Sequence, residues 1–358
     1  MSKKHYIIPI FIPHIGCPFD CVFCNQRKIT GFDLEPNADF IDKQISRHYE
    51  TIPDPLTKNI EIAFYGGSFT GIKIEKQMEL LSVANSWKIN GLINEIRIST
   101  RPDYIDNSTL ELLKNFGVSI IELGVQSMDD QVLEKSERGH TAMDVIRAVK
   151  IIKNHSIKLG LQMMLGLPGA TYEKDVCTSE LLISLNPDFV RIYPTLVIKN
   201  TSLEKQFIEG KYKPLTLYET IAIAKVVLIR FQQNNIPVIR IGIQPTEELL
   251  AQGDVIAGPF HPSIRQLVES AATKDFLTAI FSQLEIKEVD HIVLQTNNSF
   301  LSLIVGQKKN NIDYLKKKFM IRNIKIITNN VLSDKEIIIS YNAKQELFSY
   351  NQFINNIV

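Results

Sequence analysis

Over roughly the first 200 residues, short β-branched apolar runs alternate with longer segments in which apolar positions recur at helical period. The runs lie at 6–12, 60–65, 95–99, 118–125, 158–164 and 188–193, and the helical segments at 38–50, 74–87, 107–116, 129–135, 142–154 and 172–184. This alternation predicts a parallel sheet with helices outside it. The runs are apolar on both faces, as strands covered on both sides must be. Six such units are fewer than a closed eight-fold barrel needs. The expected fold is therefore α/β, a partial (β/α)6 TIM-like barrel, with an open doubly wound sheet as the alternative. Either places a site at the C-terminal ends of the strands.

The pattern changes near residue 196, where a loop over 196–203 leads to a polar stretch. A long helix over 217–234, a short strand over 238–243 and a Gly/Pro-marked turn at 258–262 follow. The expected organisation is a core over 1–200, an α/β extension over 201–260, and a small basic α+β module over 285–358. In that last part the order reads strand 291–295, helix 299–305, loop 306–309, helix 310–319, strands 323–328 and 336–341, and helix 344–357.

Hydrophobic residues make up 44% of the 358, enough for a sizeable core, and the net charge is only +1, so no global field draws the chain to nucleic acid or membrane. The start lacks a signal-peptide cleavage pattern, Pro9 and Pro13 interrupt its apolar run, and no apolar stretch approaches the ~18 residues of a membrane span. The expectation is a cytoplasmic protein with no membrane partner.

Of four cysteines, three fall within eight residues, in the loop after the first strand: Cys17, Cys21 and Cys24, spaced C-x3-C-x2-C. In a reducing compartment such a cluster reads as metal-binding before disulfide. Thiolates suit iron–sulfur clusters or zinc. A closed zinc site needs four ligands, and His14 is the candidate fourth. Three ligands on a four-iron cluster leave one iron open to a small molecule. Cys177 stands alone and is expected to be a small buried hydrophobe.

Other candidates sit directly after the later strands. Gly66 and Gly67, followed by Ser68, allow a ligand close to the backbone. Ser99 and Arg101 end the third run, and Arg101 reaches either a bound carboxylate or a surface acid. Glu122 and Gln126 close a buried strand, which is costly unless they bind something, and a ligand is favoured over internal hydrogen bonding. Arg138 is the candidate for a charge-assisted contact to a carboxylate. Gln162, polar among apolar neighbours, is expected to face the barrel interior, ahead of the Gly166-Leu167-Pro168-Gly169 turn.

The cysteine spacing resembles the signature of the radical SAM superfamily. The resemblance implies a [4Fe–4S] cluster on Cys17, Cys21 and Cys24, with S-adenosylmethionine (SAM) chelated by the open iron. An electron donor, reductive cleavage and a 5′-deoxyadenosyl radical are implied with it. It further implies that the Gly66-Gly67 backbone meets the SAM amine, that Arg138 meets the SAM carboxylate, and that the 166–169 turn lies near adenine. Phe19 and Phe23 would shield the cluster. Thr100-Arg101-Pro102-Asp103-Tyr104, Glu122 to Ser127, Arg138-Gly139-His140-Thr141 and Tyr193 to Val197, in that order, resemble the catalytic subunit of Elongator and its bacterial relatives over about residues 5–250. A looser likeness links the chain to oxygen-independent coproporphyrinogen oxidase-like proteins. Two departures matter: the Elongator subunit has a wider first cysteine gap and an acetyl-CoA-binding acetyltransferase domain. No acetyl-CoA motif is found after position 258, so the radical-generating half carries over and the second substrate does not.

The order of elements after 285 resembles a KH RNA-binding module, in which a GXXG loop clamps the nucleic-acid backbone; here Lys309 stands at the second glycine. Between Gly306 and Lys325 there are seven basic residues, including Lys308, Lys309, Lys316, Lys317 and Lys318, and one acid, which favours phosphate contact. Three functions stand open. One is a radical SAM enzyme modifying RNA, with tRNA as partner. The second is a radical SAM enzyme acting on a small molecule or protein. The third is a non-catalytic, cluster-containing RNA-binding protein.

Overall fold

The computed structural model describes residues 5–12, 21–25, 36–243 and 253–356; Cys17, Phe19 and His14 lie outside them. The chain divides into two compact units, one of residues 1–216 and 236–260, the other of 217–235 and 261–358.

The first unit is built on strands β1 (His5–Ile12), β2 (Asn59–Gly66), β3 (Glu95–Thr100), β4 (Val118–Gln126), β5 (Lys158–Leu165), β6 (Phe189–Pro194) and β8 (Val238–Ile241). They form one sheet in the order β1-β2-β3-β4-β5-β6-β8, every neighbouring pair parallel, curled into a half-barrel. The fold class is that expected, with one more strand: residues 238–241, assigned from sequence to an extension, complete the barrel sheet as its seventh member. The crossovers carry α1 (Ala38–Glu50), α2 (Ile74–Ile89), α3 (Asn107–Asn115), α4 (Asp130–Lys135), α5 (Ala142–Asn154) and α6 (Tyr172–Ser184). Side-chain caps set several starts: Asn37, Asp106, Asp129 and Thr171 each accept a first-turn N–H, and Thr141 and Asp144 form a reciprocal capping box. A short ribbon of β7 (Val197–Ile198) and β9 (Val255–Ala257), with α7 (Ser202–Ile208), stands where sequence suggested only a loop.

Gly160 is required by packing inside the half-barrel: a Cβ there would lie 2.3 Å from the Phe189 ring. That ring fills the space and takes the Arg97 guanidinium on its face, 4.6 Å from the centroid.

The second unit contains α8 (Leu217–Gln233) and α9 (Ile264–Gln283), which pack on each other, and a four-stranded sheet. The division differs from that expected. Helix 217–233 belongs with the C-terminal part rather than the core, and the stretch taken as a boundary, 260–285, is mostly one long helix burying Phe276, Leu277 and Phe281. The sheet runs β11 (Asn323–Thr328), β10 (His291–Thr296), β12 (Glu336–Tyr341), β13 (Lys344–Ser349), with β10–β11 parallel and the other pairs antiparallel. Helices α10 (Asn298–Val305) and α11 (Asn310–Phe319) follow β10, and α12 (Tyr350–Asn356) closes the chain. Residues 344–349 are a strand where a helix was expected. Asn342 and Ala343 both have positive φ, forming a two-residue hairpin turn between β12 and β13. In the 306–309 loop, Gly306, Lys308 and Lys309 all take positive φ, so both lysines adopt the conformation that ordinarily favours glycine.

Candidate functional site

Strand alternation puts Glu61 and Tyr65 of β2, Arg97 and Ser99 of β3, Glu122 of β4, Gln162 of β5 and Arg191 and Tyr193 of β6 on the concave face. These side chains form two layers. The lower is a chain of buried ion pairs. Glu61 pairs with Arg97 Nε at 2.6 Å, Arg97 Nη1 donates to Glu122 Oε2 at 3.2 Å, and Arg191 Nε meets the same Glu122 oxygen at 3.0 Å. All four residues are under one-tenth exposed, Glu122 at 2%. The carboxylate of Glu122, expected to serve a ligand, is thus engaged by two arginines of the barrel itself. The cost of burying it is offset internally.

The upper layer lies at the C-terminal strand ends. Buried Cys21 accepts a hydrogen bond from Arg138 Nη1 at 3.2 Å, and Arg138 Nη2 donates to the Gly124 carbonyl at 2.6 Å. Arg101 holds Asp103 with two bonds of 3.0 Å, through Nε and Nη2, and Nη2 also donates to the Arg138 carbonyl. Of the two alternatives for Arg101, an acid of this chain is the partner found, and the side chain steadies Arg138. Gln126 sits at a bulge in β4 with φ +70°. Its side chain and that of Arg138 converge over Gly124, where a Cβ would lie 3.1 Å from Gln126 Nε2 and 3.5 Å from Arg138 Nη2. Gln162 Nε2 donates to Gln126 Oε1 at 3.4 Å. The structure thus gathers Cys21, Arg138, Arg101, Gln126 and Gln162 and sets Glu122 below them.

Gly66 has φ +113°, and a Cβ there would lie 2.1 Å from the Ile12 carbonyl oxygen. Only glycine fits, where the C-terminal ends of β1 and β2 meet. Gly67 N–H donates to the same carbonyl at 3.4 Å. Ser68 is 2% exposed and its hydroxyl bonds Thr100 Oγ1 at 2.8 Å, tying the turn after β2 to the end of β3. Ser99 Oγ is buried without a hydrogen-bond partner among the described residues.

Residues 21–25, the described part of the cysteine segment, are held on both sides. Val22 N–H donates to the Ser136 carbonyl and the Val22 carbonyl accepts from Leu203 N–H. Phe23 packs against Val132, Met164 and Leu167 on one side and Val197, Leu203 and Tyr212 on the other. Cys24 is half-buried, and its N–H donates to the Cys21 carbonyl at 2.9 Å. Cys177 is exposed rather than buried, because α6 turns Asp175, Val176, Ser179 and Leu182 inward and leaves position 177 outside.

Three residues not singled out from sequence support this layer. His140 donates from Nε2 to the Val125 carbonyl at 3.2 Å. Burial, then the adjacent Arg138 and Arg101, push its pKa down to about 3, so it is a neutral ring. Its Nδ1 is a bare lone pair without a partner among the described residues. Asp175 Oδ2 accepts from Gly166 N–H at 2.9 Å and Tyr212 donates to the Gly166 carbonyl at 2.7 Å, so two side chains fix the 166–169 turn. Burial pushes the Asp175 carboxyl up to about 7, against the opposing pull of the Gly166 N–H. A carboxyl whose pKa is raised on folding contributes stability that is complete below its unfolded value and is lost as pH rises through the folded one. Asp175→Asn, which keeps an acceptor for Gly166, is therefore expected to melt about 2–4 °C above the parent at about pH 9. The two should converge only below the ordinary carboxyl value of 3.8, as thermal melts across pH would read.

The donor set fits an iron–sulfur cluster with SAM: buried sulfur beside a fixed cation, a backbone cradle closed to any Cβ, and unspent buried polar atoms at the strand ends. Comparison with known proteins points the same way. The Radical SAM superfamily model matches residues 11–178 and the Radical_SAM C-terminal domain model matches residues 187–274. An uncharacterized protein of Methanocaldococcus jannaschii is 33% identical over 225 residues, 60% of this chain and 68% of that one. A tRNA uridine(34) acetyltransferase of Dehalococcoides mccartyi is 28% identical over 239 residues, 58% of this chain and 52% of that one. The solved structure of the archaeal Methanocaldococcus infernus Elp3 with an N-terminal deletion superposes with a TM-score of 0.60 at 22% identity, covering 77% of this chain and 64% of that one. The chain thus spans about half to two thirds of the proteins it matches here.

Proposed function

The chain belongs to the radical SAM superfamily, whose enzymes use a [4Fe–4S] cluster and SAM, and from that premise we propose that it cleaves SAM reductively in order to modify a tRNA. The observation that carries the reading is the convergence of Cys21, Arg138 and the Gly66 cradle at the C-terminal ends of the parallel strands. When bound, the cluster and SAM supply one-electron cleavage of a carbon–sulfur bond and hydrogen-atom abstraction.

The chain's own residues bind and orient. Cys17, Cys21 and Cys24 would hold the cluster through their thiolates. Arg138 donates to the Cys21 sulfur and places fixed positive charge beside it, which favours the reduced, more negative state. The Gly66-Gly67 backbone admits the amino acid end of SAM, and the linked amides of Gln126 and Gln162 present polar groups to it. Phe23, Val132, Met164 and Leu167 exclude water on the side of the 166–169 turn.

The RNA substrate is supported by the relative named for tRNA uridine(34) and by the basic second unit, where Lys308, Lys309, Lys316, Lys317 and Lys318 lie on or beside α11. The test is anaerobic reconstitution with iron and sulfide, reduction in the presence of SAM, and assay for 5′-deoxyadenosine, with tRNA binding measured on the same protein. Deoxyadenosine formation and salt-sensitive tRNA binding, weakened when those lysines are neutralised, are expected. A full cluster that never cleaves SAM, with or without tRNA, would overturn the reading.

A further inference from the structure

Arg191 is the last member of the buried ion-pair chain, and it does more than neutralise Glu122. Its Nη2 donates to the Tyr65 hydroxyl at 2.8 Å and its Nη1 to the Tyr193 hydroxyl at 3.1 Å. With Nε on Glu122 at 3.0 Å, the guanidinium is fixed on three sides. It also lies over the Tyr65 ring, 5.2 Å from the centroid. Burial opposes its charge, but Glu122 and the two phenols more than offset this, and its pKa stands above the ordinary arginine value.

Hydrogen-bond direction then decides what the phenols can do. A guanidinium only donates, so both phenol oxygens are acceptors towards Arg191. Each O–H must point elsewhere, and no acceptor for either is found among the described residues. Tyr65 stays protonated: burial raises its pKa, and Arg191 and Arg97 only partly counter that. Both tyrosines are penultimate in their strands, β2 and β6, on the concave face at the C-terminal end, and both are half-buried while Arg191 is 8% exposed. The hydroxyls therefore sit side by side on one cation, with neither proton spent on it. Phenylalanine would fill the same volume without an unspent donor.

We propose that Tyr65 and Tyr193 form a two-hydroxyl clamp for an acceptor oxygen, carboxylate or carbonyl, on the co-substrate that enters beside SAM. The cation beneath polarises both O–H bonds without contacting the ligand, so the clamp favours oxygens that carry or gain negative charge. A group with its own N–H donors turned to the clamp would be rejected, since it leaves both phenols unmatched. Specificity for the second substrate is thus set by residues of β2 and β6, apart from the Gly66-Gly67 backbone that the proposed function assigns to SAM.

The inference rests on the radical SAM reading for its co-substrate, and the test separates the two. SAM-saturated, reconstituted protein is titrated with acetate and, separately, with N-methylacetamide, by ligand-observed NMR. SAM affinity and co-substrate-free deoxyadenosine formation are measured on the same samples. Saturable acetate binding is expected, weakened roughly tenfold or more in Tyr65→Phe and in Tyr193→Phe, with SAM affinity unchanged. Because phenylalanine also removes an acceptor from Arg191, p-methoxyphenylalanine at either position is the second variant: it keeps the oxygen and replaces the hydroxyl proton with a methyl group. It should lose acetate binding equally. Stronger binding of acetate than of N-methylacetamide assigns the clamp to carboxylates, and the reverse to neutral carbonyls. No saturable binding of either probe, affinities that ignore the substitutions, or a loss of SAM affinity instead, overturns the clamp. Absence of deoxyadenosine with acetate binding intact would count against the proposed function alone.

Discussion

Cys21→Ala and Cys24→Ala are each expected to lose the cluster's visible absorbance and all deoxyadenosine formation, while Cys177→Ala changes neither. Three thiolates are the minimum that holds a four-iron cluster with one iron open, so removing any one removes the site rather than weakening it. Cys17→Ala, in the segment outside the described residues, should behave alike. Cys21 and Cys24 nevertheless differ in what they do for the apoprotein. Cys21 is buried and accepts from Arg138 Nη1, so its loss strands a buried guanidinium N–H at a cost of about 1–3 kcal/mol. Cys24 is half-buried, so its removal exposes less of the interior. Iron content, absorbance and deoxyadenosine are read on reconstituted samples, and urea midpoints on apoprotein. A Cys21→Ala protein that keeps four irons and cleaves SAM would remove the cysteine loop from the mechanism.

The parts of this molecule legible in its sequence are those whose chemistry is local. Six of the seven barrel strands announce themselves as apolar runs, and the cysteine spacing and the Gly66-Gly67 pair lie within single loops. The seventh strand, 238–241, has the same apolar character, but nothing local says that it pairs with β6 rather than starting an extension. Strand 344–349 is hidden for another reason. Its residues are exposed or half-buried on an edge, so no apolar face betrays the period of two, and its turn is Asn342-Ala343 without the glycine that usually marks such a hairpin. Cys177 shows the limit of composition: a free cysteine is commonly buried, yet helix phase places this one outside.

The interior charges are the clearest case of non-local information. Arg97 lies between Ile96 and Ile98, and Arg191 between Val190 and Ile192, and a charge inside a buried run is itself a signal. What the run cannot say is that β2, β3, β4 and β6 bring Glu61, Arg97, Glu122 and Arg191 into one alternating chain. From sequence Glu122 is expected to meet a ligand, because a carboxylate closing a buried strand is costly unless it binds something. Once the strands are assembled, its partners are the barrel's own arginines.

That reassignment carries a large expected effect. Glu122→Ala should destabilise the apoprotein by about 3–5 kcal/mol, as for other buried ion pairs broken on one side. The loss falls unevenly. Arg97 keeps Glu61, through Nε at 2.6 Å and Nη2 at 2.9 Å, whereas Arg191 keeps only the hydroxyls of Tyr65 and Tyr193. A buried cation without an anion is the costly product, and against a total stability of about 5–15 kcal/mol it removes a large fraction. Removing the stranded charge as well, in Glu122→Met with Arg191→Met, should recover part of the loss, since apolar groups of similar volume often replace a buried pair without penalty. Urea midpoints of the two proteins decide it. A double variant no more stable than Glu122→Ala would mean that the cost is lost packing. A single variant as stable as the parent but unable to bind SAM would return Glu122 to the role of a ligand.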